Sequence, residues 1–177
     1  MNFYPRRFNL YLLPVLLLAA LAGGCQTHKK KIGKVGAIRI HLEAAASVPG
    51  KSQPIQVLRS QPVVVLVGDD PVVTEQNLIG ATLVESAGGF ALRVRFDETG
   101  AWMLEQATAG NPGRHLVIFG QWGDTVSQGR WLAAPLITHR IADGLVTFTP
   151  DASREEMSKL VEGLNNTAKL INSGPVK

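Results

Sequence analysis

Cys25 is the single cysteine among 177 residues, and it follows Leu21-Ala22-Gly23-Gly24, three small residues behind a leucine. A lone thiol there is either an attachment point for lipid or an incidental free thiol, since no intrachain disulfide can form. The other side chains that could do chemistry are dispersed. His41, His115 and His139 are each expected on or beside a strand, with no pair at the close spacing many zinc sites show, and His28 stands apart near the N-terminus. Asp69 and Asp70 are adjacent carboxylates with no further oxygen ligands at a defined spacing, so they read as a solvated turn. Ser127, Ser153 and Ser158 lack the Gly-x-Ser-x-Gly elbow of a nucleophile. No catalytic residue, metal or cofactor is assigned, and the chain is expected to be non-enzymatic. The stretch from Gln121 to Trp131 differs in kind. Trp122, Arg130 and Trp131 are residue types that anchor interfaces, set in a Gly-rich segment, and they are the candidate partner-binding residues. The competing reading is that both tryptophans tuck into the core or cover a sheet edge.

The context of Cys25 favours the lipid. Arg6 and Arg7 give a positive start, Leu10 to Leu21 follow without charge, and small residues precede the cysteine, which is the plan of a secretory leader. The apolar run is shorter than the roughly 20 residues a membrane-spanning helix needs, and Pro14 interrupts it. Leu21 to Cys25 resembles the lipobox of bacterial lipoproteins, although Ala22 stands where that pattern commonly has leucine. The resemblance implies cleavage before Cys25 and a diacylglycerol on its sulfur. By the same resemblance, Gln26 rather than aspartate points to the outer membrane, facing the periplasm. Lys29, Lys30, Lys31 and Lys34 then form a basic tether, read as solvated in preference to bound to anionic head groups or peptidoglycan carboxylates.

Charge locates the basicity. Loss of residues 1–24 removes two arginines and no acid, so the formal charge falls from +4 to +2. Without the four tether lysines the remainder holds 12 basic against 14 acidic residues, which makes nucleic acid an improbable partner. The expected organisation is a leader (1–24), a lipidated tether (25–35), one domain (36–172) and a short tail (173–177). About 150 residues are enough for one real core.

Periodicity supplies the elements that must position the candidate residues. Ile38, Ile40 and Leu42 alternate with Arg39, His41 and Glu43, predicting a strand with His41 facing solvent. Pro49 to Pro54 reads as a loop, and Pro62 to Val67 as a strand buried on both faces. Thr74 can cap a short helical turn ending at Leu78. Ala81 to Glu85 and Phe90 to Phe96 predict a hairpin around Ala87-Gly88-Gly89, with Arg93 and Arg95 on its wet face. Asp97 caps a helix striped by Ala101, Leu104 and Thr108, and Leu116 to Phe119 is a short strand. Leu132 to Ile141 and Leu145 to Phe148 predict a second hairpin around Asp143-Gly144. Ser153 with Glu156 forms a capping box for a last helix carrying Met157, Leu160, Val161 and Leu164. The fold class is α+β, a mainly antiparallel sheet with two helices packed on one face.

The block from Pro71 to Phe119 resembles the head portion of the first periplasmic domain of SecD, a membrane subunit of the bacterial protein-export machinery. The matching positions are Pro71, Ala81, Gly100, Ala101, Leu104, Thr108, Asn111, Gly113 and Arg114, followed by Ala133 to Ile137 and the helix from Ser153. The resemblance, over about residues 56 to 165, implies that fold and a capacity to hold a polypeptide or pack on another envelope protein. A proton-driven motor is excluded for this chain, which lacks SecD's transmembrane helices. The leading expectation is a lipid-anchored envelope module that binds a protein or peptide, with a small-molecule or glycan-binding lipoprotein as the alternative.

Overall fold

Alternating side chains and two capped helices fold into three antiparallel ladders, two of which share one large core while the third closes a smaller one. The computed structural model describes residues 34–45, 52–58, 62–123 and 128–173. Cys25 and the leader lie outside the described residues. The strands are β1 (Ala37–Leu42), β2 (Ser52–Val57), β3 (Val63–Gly68), β4 (Val73–Thr74), β5 (Leu78–Ser86), β6 (Gly89–Phe96), β7 (Leu116–Trp122), β8 (Gln128–Ala133) and β9 (Leu145–Phe148), with helices α1 (Glu98–Ala109) and α2 (Arg154–Asn172). A four-stranded sheet runs β4-β1-β7-β8, a three-stranded sheet runs β5-β6-β9, and β2 pairs only with β3.

Ile38, Ile40, Leu116, Ile118 and Leu132 from the first sheet meet Leu92, Val94 and Phe148 from the second. Leu104 of α1 and Met157, Leu160 and Leu164 of α2 enter the same core, and each is 0 % exposed. The caps that start these helices are those the sequence predicts. Asp97 accepts from the Gly100 amide at 2.7 Å, and both halves of the Ser153–Glu156 box are formed. The 3₁₀ turn Glu75–Asn77 is likewise capped by Thr74.

Helix α2 is fastened on two flanks by one polar run. The Asn165 amide accepts from Ala81 N at 2.8 Å and donates to Ala81 O at 3.0 Å, giving the outer edge of β5 a substitute for a neighbouring strand. Asn166 donates to Lys34 O, and Thr167 bonds both the N–H and the carbonyl of Gly36. The approach is close enough that a Cβ on Gly163 would lie 2.8 Å from Gly36 N.

Three local expectations change. First, His41 is buried, because the β2–β3 hairpin covers the second face of the β1-β7 sheet and packs Val57, Val65 and Val67 against Val117. Ser52 to Val57, expected as partly loop, is therefore a strand. Second, the strand buried on both faces is β7, where Leu116, Val117 and Ile118 are consecutive buried residues, while Val63 and Val64 of β3 are exposed. A continuous β-branched run suits a covering layer as well as a sandwiched one. Third, Leu132 to Ile141 does not pair with Leu145 to Phe148. β8 ends at Ala133 against β7, and β9 pairs with β6. Asp143 caps its own turn by accepting from Leu145 N, and Gly144 has φ 67°.

Candidate functional site

The candidate surface is built on β8, the last strand of its sheet. Its register puts Phe119 opposite Trp131 and Gly120 opposite Arg130, so Arg130 and Trp131 point to opposite faces. On one face, the Arg130 guanidinium stands 5.4 Å from the Trp122 ring centre and grips Glu156 with two bonds of 3.0 and 3.1 Å. It also donates to Asp151 O at 2.9 Å. On the other face, Trp131 packs edge-on to Phe119 and His41, with ring centres 5.2 and 5.3 Å away.

The electrostatics follow from these contacts. The Ser153 amide, with Arg130 adding to it, outweighs burial and holds the Glu156 carboxyl down at about 2. Burial lowers the pKa of His41 despite the 2.9 Å contact of its Nδ1 with Gly68 O. The neutral ring is thus the form that fits beneath the hairpin.

The three residues of the sequence expectation therefore make different contributions. Trp122 is 3 % exposed and presents no surface outward, but supports Arg130 from beneath. Its Nε1 and the Arg130 Nε are buried donors with no acceptor among the described residues. Arg130 and Trp131 meet only at the strand's edge, where they line a hollow of about 300 Å3 with Gln56, Leu58, Pro62 and Asp151. The last four were not anticipated. Ile55 and Val57 alternating with Gln56 carried the strand signal, but the prolines beside them read as a loop.

Two features mark this edge. Leu58 has φ 67°, the one non-glycine residue with positive φ among those described, a conformation costing a branched side chain about 1–2 kcal/mol. Beside it Val63 and Val64 are 47 % and 68 % exposed, which extends the apolar rim. The β8 edge is partly used, since Asp151 N donates to Leu132 O at 2.7 Å. Two residues back, the Arg130 backbone faces the same way.

The residues from Pro71 to Arg114 that share the SecD pattern lie elsewhere and are structural. A Cβ on Gly100 would fall 2.8 Å from Phe96 Cβ, and Gly113 has φ 81°. Thr108 donates to Leu104 O and accepts from Ile141 N. Asn111 donates to Ala107 O and accepts from Arg114. His115 bonds the Glu43 carboxylate at 2.7 Å, and His139 is an exposed residue beside Thr138.

Comparison with solved structures places the fold. A chain from a study of "a membrane component SecDF that enhances protein export" superposes with a TM-score of 0.52 at 18 % identity, covering 93 % of this chain and 71 % of that one. Two further SecDF structures align at 18 % identity, one in a super-membrane-facing form and one a translocon-associated membrane protein from Thermus thermophilus. Their TM-scores are 0.45 and 0.39, covering 89 % and 90 % of this chain but 33 % and 34 % of theirs. No family model matches the chain, and no curated protein does. The fold is SecD-like and α+β, as the motif from Pro71 to Phe119 implied. Among the described residues no helix is long and apolar enough to cross a membrane.

Proposed function

We propose that this chain is a non-enzymatic, lipid-anchored protein of the bacterial envelope whose body faces the periplasm and holds an extended stretch of another polypeptide against the edge of β8. The observation that carries the reading is the edge itself: an incompletely paired strand beside a hollow of mixed polar and apolar lining with an aromatic wall and a fixed guanidinium, in a fold shared with a component that enhances protein export. An added strand gains backbone hydrogen bonds from the edge, and the hollow selects its side chains. Arg130 is pre-set by Glu156, so binding costs little side-chain ordering there. Anchoring through Cys25 would keep this edge close to the membrane.

A photocrosslinking amino acid in place of Gln128 tests it in intact cells. Discrete protein adducts that disappear when Trp131 is also changed to alanine are expected. Adducts no different from those of a probe at exposed Thr99, in the first turn of α1, would sink the reading.

The second reading, a small-molecule or glycan binder, draws on a separate, open hollow of about 730 Å3 lined mainly by the segment from Pro135 to Leu145, a size within the ligand range. A thermal shift with an envelope sugar or metabolite that survives Trp131→Ala would favour it.

A further inference from the structure

The outward face of the β5-β6-β9 sheet takes no part in the edge described above. Its exposed positions include Thr82 on β5, Arg93 and Arg95 on β6, and Leu145 and Thr147 on β9, aligned by the pairs Thr82–Arg93–Thr147 and Arg95–Leu145, with Ser86 further along β5. None is acidic. Arg39, Arg130, Arg140 and Arg154 each stand within an ion pair with a glutamate. Among the described residues Arg93, Arg95 and Arg114 have no such partner, but Arg114 bonds Asn111 whereas Arg93 reaches only the Thr147 hydroxyl, at 3.4 Å. The two guanidiniums flank a shallow hollow of about 430 Å3 whose rim carries Ile79, 48 % exposed, and Leu145, 37 % exposed. Uncompensated cations interleaved with exposed aliphatic side chains match an anionic surface with apolar material beneath it, the chemistry of a phospholipid leaflet.

The point where the rest of the chain joins the body favours that occupant over a soluble one. Asn165 borders the hollow, and its neighbour Asn166 holds Lys34 O from the other flank of α2. Lys34, where the described body begins, is thus held by the same helix that borders the hollow. The nine peptide steps from Cys25 to Lys34 reach at most about 30 Å, so a body moored at Cys25 cannot leave the leaflet's vicinity. Since the body carries more acids than bases outside its tether, an anionic leaflet repels most orientations and attracts this one.

We infer that the Arg93–Arg95 sheet face is a docking surface for the anionic leaflet to which the chain is moored, so that the body lies on the membrane in one orientation with this face down. The inference rests on the anchor reading only for the nearness of a bilayer, and chemical coupling supplies that nearness whether or not the cell lipidates Cys25. The chain from Cys25 to Lys177 keeps the whole described core, whose residues run from Ile38 to Ala168.

Its single thiol can be joined to a maleimide lipid in vesicles of phosphatidylcholine alone or mixed with phosphatidylglycerol. Arginine modification by phenylglyoxal is then followed residue by residue by mass spectrometry. In the mixed vesicles Arg93 and Arg95 should react about fivefold more slowly than in phosphatidylcholine, the factor one basic side chain near an anionic leaflet is worth, with Arg39 and Arg154 unchanged. Raised salt should abolish the difference. Equal rates in both vesicles, or equal slowing at all four arginines, would overturn the inference. So would the same protection from soluble polyglutamate without vesicles, which would assign the face to an acidic polypeptide instead.

Discussion

Glu156 shows how one side chain serves two structures. It accepts from the Ser153 amide at 2.8 Å, completing the cap of α2, and grips Arg130, fixing the wall of the candidate site. Its carboxyl is held at about 2, below the usual 4.5, so the stability it contributes is fully present above pH about 4.5 and is lost as pH falls through about 2. Glu156→Gln should therefore lower stability by about 1–3 kcal/mol at neutral pH, the range for a charged hydrogen bond lost beside a half-buried partner. The gap between variant and parent should close between pH 4.5 and 2, measured as urea midpoints across that range. A gap of constant size down to pH 2 would show that the charge is not the source. His41 teaches a different lesson at the same scale. Alternation placed it correctly opposite Ile38 and Ile40, but whether that second face meets water depended on a hairpin more than ten residues away.

At the scale of elements, α2 decides the architecture. Its apolar stripe was readable from Met157, Leu160 and Leu164, and its start from the capping box. Its flanks were not, because Asn165-Asn166-Thr167 looks like surface polarity until the β5 edge and the β1 entry are brought to it. The crossing of Gly163 over Gly36 is equally invisible along the chain. A methyl on Gly163 would meet backbone atoms of Val35 and Gly36 at 2.8 Å, and backbone cannot move aside as a flexible side-chain tip can. Gly163→Ala should cost about 1–3 kcal/mol of unfolding free energy by overpacking, seen as a lowered thermal midpoint. Amide exchange should quicken first at Ala37 and Ile38, next to the crossing. An unchanged midpoint would mean the two backbones part at the crossing to admit the methyl. The hairpin error at Leu132 to Ile141 has a related cause. Both segments are apolar and flank a good turn at Asp143-Gly144, yet Phe96 N donates to Gly144 O and β6 takes β9 as its partner. Turn chemistry identifies a reversal but does not choose which strand lies alongside.

For the whole molecule, the proposed anchor and the body can be separated by experiment. Cys25→Ser should abolish palmitate incorporation, block leader cleavage, and leave unprocessed chain in the cell's fractions; density fractionation of the parent then locates it in the outer or inner membrane. Palmitate retained in that variant would remove the anchor from the proposal while leaving the β8 edge and the arginine face to their own tests. Along the chain alone, local and near-neighbour physics determined much: both helix starts, the β5–β6 hairpin, the exposure of Arg93 and Arg95, and the α+β class. These depend on side-chain periods and on caps that act within a few residues. Only the tertiary structure decided that the strands divide into three ladders, that Trp122 is inside while Trp131 and Arg130 share an edge, and that Gln56, Leu58 and Pro62 complete the hollow. Those outcomes depend on which faces cover one another, and covering is set by contacts between segments tens of residues apart, which leave no period in the sequence.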